Sequence, residues 1–230
     1  MTHLEIIYED DGIVVVNKQA GLAVLPERWE AEAEDLVSIL KQRWPAASSA
    51  HRIDKETSGL VLCAKTTERA RELQIAFEKR KIDKRYHAIL GGKVSWSEML
   101  CEQRLTPDGD RRHRTIAASD GKPCATQFTV LEKFRGFSLV EAKLITGRTH
   151  QIRAHASFLG YPIVGDDLYG GKKFLLSSFK QSYRGDPFAE RPLISRCALH
   201  AFSLAFEDHI FQAAYPKDFA AGLNQLKKYG

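Results

Sequence analysis

An aspartate preceded by a histidine and an arginine, in the run His51-Arg52-Ile53-Asp54, opens the stretch of this 230-residue chain best suited to chemistry. A carboxylate beside a fixed cation stays ionised, which suits Asp54 to act as a nucleophile or a base. A Thr57-Ser58-Gly59 turn follows, and then the apolar run Leu60-Val61-Leu62-Cys63-Ala64, which reads as a buried strand. A loop hung on such a strand holds a reacting group still. The same spacing also fits a capped turn with Arg52 paired to Asp54 at the surface, and from spacing alone the two readings weigh equally. A carboxylate pair of the glycosidase kind is a poor fit. Asp54 and Glu56 lie too close on one tight loop to face each other across the ~5–10 Å of substrate that such chemistry needs.

Metal chemistry finds little support. His150 and His155 are spaced five apart, not at the i, i+4 interval that puts two ligands on one helix face, and no acidic residue lies between them. His51 and His200 add nothing at ligand spacing, and Gly165-Asp166-Asp167 reads as a turn. Cys63, Cys101, Cys124 and Cys197 are scattered without a Cys-x-x-Cys pair, so they are read as reduced and structural. Two basic clusters stand out: Lys79-Arg80-Lys81 with Lys84-Arg85, and Arg111-Arg112-His113-Arg114. A net charge of +5 and a pI near 9.0 agree with a polyanionic partner.

The elements that must position these groups follow from periodicity. Leu4–Tyr8 and Ile13–Asn17 read as strands joined by an Asp10-Asp11-Gly12 turn. Leu36, Ile39 and Leu40 fall at helical spacing, with Pro45 as a stop. A helix is predicted from about Glu68 to Arg80, capped by Thr66 or Thr67, with Ala70, Leu73 and Phe77 on one face. Tyr86, Ala88 and Leu90 alternate with Arg85, His87 and Ile89 as in a half-buried strand, which by itself makes Tyr86 a core aromatic. Gln127–Lys133 and Phe137–Leu144 form a further strand pair, turned at Arg135-Gly136. Thr149–Leu159 is helical, with Ile152, Ala156 and Leu159 inward, Arg153 one residue off that face and Gly160 as the stop. Leu199–Phe206 alternates again, Phe219, Leu223 and Leu226 suggest a closing helix, and the poorly patterned Tyr169–Glu190 reads as a surface excursion. Paired strands with occasional helices make an α+β fold, in one domain over residues 1–230.

Five tracts, in order, resemble the RluA-type pseudouridine synthases. His51–Leu60 is similar to that family's signature around its nucleophilic aspartate, with Ile53 where Leu is usual. Ile6–Lys18 resembles its N-terminal hairpin, with Gln19 in place of the usual Pro. Lys84-Arg85-Tyr86 resembles its Lys-x-Tyr element, Gly121-Lys122-Pro123-Cys124-Ala125-Thr126 its Gly-Lys-Pro-Ala-x-Thr element, and Thr146-Gly147-Arg148-Thr149-His150-Gln151-Ile152-Arg153 its Thr-Gly-Arg-x-His-Gln-Leu-Arg element. The likeness runs from about Leu4 to about Phe206.

That resemblance implies a mixed, mostly antiparallel central sheet with flanking helices and a basic active-site cleft. It implies an isomerase that turns uridine in structured RNA, tRNA or ribosomal RNA, into pseudouridine without a cofactor. By resemblance Asp54 is the nucleophile, Tyr86 the pocket tyrosine stacked on the target base and Arg153 the arginine paired with the catalytic carboxylate. Arg52 resembles the residue that enters the RNA helix as the base flips. The resemblance also places Lys84, Arg148 and the Arg111, Arg112, Arg114 cluster beside motifs, as RNA contacts. The chain opens directly on the catalytic hairpin, so a single-domain monomer acting on a compact RNA stem-loop is expected. No run approaches the ~20 apolar residues of a membrane span and no signal core is visible, so the expected location is the cytoplasm. The alternative is a catalytically idle RNA-binding protein on the same fold, which would be free to lose Asp54, Tyr86 and Arg153.

Overall fold

The carboxylate of Asp10 accepts from the backbone N–H groups of Gly12 and Ile13, both at 2.7 Å, and so closes the turn between β1 (Glu5–Glu9) and β2 (Ile13–Lys18). The computed structural model describes residues 4–26, 33–186 and 189–230. After β2 come α1 (Leu36–Arg43), β3 (Ser48–Ser49), β4 (Ser58–Ala64), α2 (Thr67–Glu78) and β5 (Asp83–Gly91). Next are β6 (Glu98–Thr106), β7 (Ile116–Ala117), β8 (Lys122–Phe134), β9 (Phe137–Leu144) and α3 (Gln151–Phe158). The chain closes with β10 (Leu199–Phe206), β11 (His209–Gln212) and α4 (Lys217–Tyr229). Side-chain caps start α1 and α2: Asp35 accepts from Ser38 N at 3.0 Å, and Thr66 from Arg69 N at 3.2 Å. The fold is α+β with mixed, mostly antiparallel strands, as the sequence implied. No helix among the described residues is long and apolar enough to cross a membrane.

The residues fall into two compact units, one running up to Arg85 and taking in His200–Tyr215, the other made of Tyr86–Leu199 and Pro216–Gly230. In the first, the strand order is β1-β2-β4-β10, with β3 paired to β4 and β11 to β10. All seven residues of β4 are buried. β2 pairs antiparallel along its whole length, from Lys18↔Gly59 to Ile13↔Ala64, and β10 pairs parallel at His200↔Ser58 and Ala201↔Gly59. That parallel pairing explains the glycine of the signature. Gly59 has φ +111°, and a Cβ there would lie 2.2 Å from the Ala201 carbonyl oxygen. Leu60 and Leu62 pack with Ile13, Val15, Leu73, Leu204 and Phe206 to form the core of this unit.

The second unit has the order β5-β9-β8-β6-β7. Three features depart from the sequence reading. β6 carries no strong signal because its inward positions hold Met99, Cys101 and Gln103 beside Leu105, while Leu100 points out at 47% exposure. Tyr86–Leu90 is buried at every residue, so β5 is covered on both faces and not half-buried. The supposed excursion after Tyr169 is partly core. Tyr169, Phe174 and Phe179 are buried, and the Phe137 ring lies 5.2 Å from Phe174 and 5.6 Å from Phe179. Aromatics at irregular intervals in a turn-rich segment leave no period to read.

Candidate active site

Backbone bonds and one ammonium fix the loop that carries Asp54. Lys18 ends β2 on the buried face that Val14 and Val16 begin, and its side chain is fully buried. Its Nζ donates to the carbonyls of Leu22 at 2.6 Å, Gln19 at 3.0 Å and Lys55 at 3.1 Å, so the burial of its charge is compensated. The Lys55 carbonyl also accepts from Gly21 N at 2.8 Å, and the Asp54 carbonyl from Thr57 N at 3.0 Å. Ile53 and Thr57 are buried, Asp54 is half-buried and Arg52 is exposed. At the head of the loop, His51 Nε2 accepts from Leu62 N at 2.9 Å, which puts its proton on Nδ1. Burial, and then the charge of Lys84, push the His51 pKa down to about 3, so the ring is neutral. It lies 4.8 Å from the Phe77 ring, over which Lys84 Nζ sits at 5.1 Å. Burial in turn lowers the Lys84 pKa. Ser58 Oγ lies 2.9 Å from His200 Nδ1, and His200 Nε2 donates to Ala213 O at 3.3 Å. The serine of the signature therefore bolts the loop's strand to β10.

In the second unit, two of the motif tracts lock into one another. Gln151 Oε1 accepts from Thr146 Oγ1 at 2.7 Å and Arg148 N at 3.1 Å. Its Nε2 donates to Ala125 O and Thr126 Oγ1, both at 2.9 Å. His150, left-handed at φ +53°, turns the chain into α3. Arg153 is buried there at 8% exposure, so a surface position on an amphipathic helix is ruled out. Its Nε and Nη2 bind both oxygens of the buried Asp166 at 2.7 and 2.8 Å. Its guanidinium lies 5.0 Å from the centre of the Tyr169 ring. Tyr169 Oη accepts from Thr115 N at 2.9 Å and lies 3.1 Å from His150 Nδ1.

The basic loop ending at Thr115 is partly spoken for. Arg114 pairs with Asp110, with Nε 2.7 Å from Oδ2, and reaches Leu168 O at 3.5 Å. Arg112 donates to Asp167 O at 3.1 Å. Arg111 and Arg148 are exposed and make no such bond among the described residues. Tyr86 is buried at 6% exposure on β5. Beside it, burial takes the His87 pKa down to about 4. At 3.8 Å, Glu141 is too far for a hydrogen bond, and His87 is neutral at pH 7. Arg52, Asp54 and Lys84 thus belong to the first unit, and Tyr86, Arg111, Arg112, Arg114, Arg148 and Arg153 to the second. Sequence reasoning passed over Lys18, Asp166 and Tyr169. A lysine continuing an apolar strand face was the available signal for Lys18. For Asp166 and Tyr169, whose partners lie far along the chain, there was none. Among the described residues no three metal-ligating side chains converge.

Comparison with known proteins agrees with this layout. Residues 12–158 match the family described as RNA pseudouridylate synthase. The chain is 35% identical over 240 residues to the ribosomal large subunit pseudouridine synthase D of Vibrio parahaemolyticus, covering 98% of this chain and 71% of that one. It is 33% identical over 243 residues to an uncharacterised RNA pseudouridine synthase of Bacillus subtilis, covering 99% and 74%. The solved structure of human RNA pseudouridylate synthase domain containing 4 superposes with a TM-score of 0.76 at 25% identity, over 97% of this chain and 93% of that one. These matches define an isomerase that converts uridine in RNA to pseudouridine. The chain belongs to the RNA pseudouridylate synthase family, in its RluA-type branch.

Proposed function

We propose that this enzyme isomerises a uridine in a structured loop of large-subunit ribosomal RNA, with Asp54 as nucleophile. The observation that carries the reading is the mooring of Asp54: a half-buried carboxylate on a signature loop held by Lys18, Gly21 and Thr57. The relatives named for the ribosomal large subunit support that class of substrate. A tRNA stem-loop is the other outcome of the same test.

The reaction breaks the C1′–N1 bond of the target uridine, turns the uracil and joins C5 to C1′. A proton leaves C5 and N1 regains one, so atoms balance without an outside reactant. Asp54 supplies the oxygen nucleophile, at the sugar or at the base. In this reading Arg153 supplies the fixed cation that the reaction needs. A guanidinium suits the part because its planar fork never loses its proton. Tyr86 stacks on the flipped base and stands by to take the C5 proton. Base extraction costs least where the base is already in a loop. Arg52, Lys84, Arg111, Arg112, Arg114 and Arg148 face phosphates in this reading, with Arg111 and Arg148 the most available. The protein works as a cytoplasmic monomer.

Tritium release from RNA labelled at uridine C5 tests the assignment. Asp54→Asn should lose at least ~10³-fold in rate, while RNA affinity and melting temperature stay near wild type. Appreciable turnover by the purified variant removes Asp54 from the mechanism. Mapping pseudouridines in RNA from cells with and without the gene identifies the substrate.

A further inference from the structure

We propose that Asp166 and Tyr169 are positioning residues for the isomerisation, and that through them the docking of the basic Asp110–Thr115 loop sets the placement of Arg153. This rests on the role given to Arg153 above.

The guanidinium is held from two sides. Asp166 occupies its Nε–Nη2 edge with two bonds of 2.7 and 2.8 Å, and the Tyr169 ring lies under its centre at 5.0 Å. Asp166 is itself fixed. Its Oδ1 accepts from Tyr169 N at 3.3 Å, and Cys197 Sγ lies 3.6 Å from Oδ2. The turn behind it is packed tightly against the backbone at Arg196. Gly165 sits at φ +72°, where a Cβ would lie 2.2 Å from Arg196 O.

Three successive residues after Asp166 each receive a hydrogen bond from the basic loop. Arg112 donates to Asp167 O at 3.1 Å, Arg114 to Leu168 O at 3.5 Å and Thr115 N to Tyr169 Oη at 2.9 Å. Tyr169 Oη, which keeps its own proton, accepts from Thr115 and lies 3.1 Å from His150 Nδ1, at the start of the helix bearing Arg153. Burial raises the Tyr169 pKa, which keeps that proton in place. Asp110 organises the loop end, accepting from Arg112 N at 3.0 Å, Arg114 N at 3.1 Å and Arg114 Nε at 2.7 Å. A loop whose exposed Arg111 is open to an RNA phosphate thus bears directly on the turn that clamps Arg153. Phosphate engagement and guanidinium alignment share one loop.

Single-turnover rates at saturating enzyme, set against RNA dissociation constants, test this together. Asp166→Asn removes the charge and keeps the shape. It should slow the chemical step by ~10–100-fold with less than ~3-fold change in RNA affinity. Tyr169→Phe keeps the ring and the fold while breaking the link from Thr115. It should slow chemistry by ~3–10-fold with less than ~3-fold change in RNA affinity. A wild-type single-turnover rate in Asp166→Asn overturns the proposal, as does one in Tyr169→Phe. A wild-type rate in Arg153→Lys and Arg153→Ala instead overturns the role of Arg153 itself, so the two failures are distinguishable.

Discussion

The two segments that bear the proposed chemistry, the Asp54 loop and helix α3, are anchored in opposite ways. Around Asp54 the anchors are main-chain carbonyls and amides gathered by one buried ammonium, with partners at Gln19, Gly21, Leu22, Lys55 and Thr57. Around Arg153 they are side chains: a carboxylate, a phenol and an amide drawn from Gln151, Asp166 and Tyr169. A backbone anchor tolerates almost any side chain at the anchored position, whereas a side-chain anchor fails with a single substitution. A nucleophile needs only to be held in place. A guanidinium must be held in place and in plane, which takes the forked, directional contacts that only side chains supply.

The sharpest way to break the comparison is to remove each cation. Arg153→Ala leaves the Asp166 carboxylate buried without its partner and should cost about 3–5 kcal/mol, read by urea unfolding. Arg153→Lys should recover part of that, but not the rate, because a point charge replaces a fork. Lys18→Met should cost less, about 2–3 kcal/mol, since it leaves carbonyls and no charge uncompensated. A loss in Lys18→Met as large as in Arg153→Ala would erase the distinction.

Acid sharpens it further. His51 is half-buried and neutral, with a folded pKa of about 3 against an ordinary 6.5. The unfolded chain therefore binds a proton that the folded loop refuses. Stability is unaffected by this group above pH 6.5 and falls as pH drops toward 3, by about 2 kcal/mol at pH 5. His155 in the Arg153 region, whose pKa burial takes down to about 4, acts with the same sign. His51→Gln should flatten the fall in stability between pH 7 and pH 5, and an unchanged slope would mean that His51 is charged in the folded loop.

The smallest effect belongs to the basic loop. Arg111→Ala should weaken binding across RNA sequences and lower the log–log salt slope by somewhat under one unit. Arg114, already paired with Asp110, should change that slope less. Equal slopes for the two variants would mean that the pair opens on RNA.

Legibility followed the anchors. The strands at Ile13 and Leu60, the Thr66-capped helix and the closing helix at Phe219 could be read because their periods are local. The Asp54 loop stood out because its signature tract is contiguous in sequence, but spacing alone left it balanced against a capped turn until the resemblance was added. Arg153 could be placed only by resemblance, and Asp166 looked like a plain turn, because the bond between them spans the irregular segment from Leu159 to Gly165. β6 was missed for a related reason: with Gln103 facing in and Leu100 facing out, hydropathy does not mark its buried side. Lys18 sat in view as part of the hairpin, but a lysine on a buried face draws no notice until its three carbonyls are known.

The bolt between Ser58 and His200 joins residues 142 positions apart. It sets a clock on synthesis. At about 5–20 residues per second, the strand that carries the Asp54 loop waits roughly 7–30 s for its parallel partner to be made. Until then Gly59 has no neighbour to make room for, and the loop has only its hairpin side to lean on. A nascent chain halted before β10 should be cut readily by protease near His51. One halted after Phe206 should resist, and equal cutting of the two would show that the hairpin alone suffices.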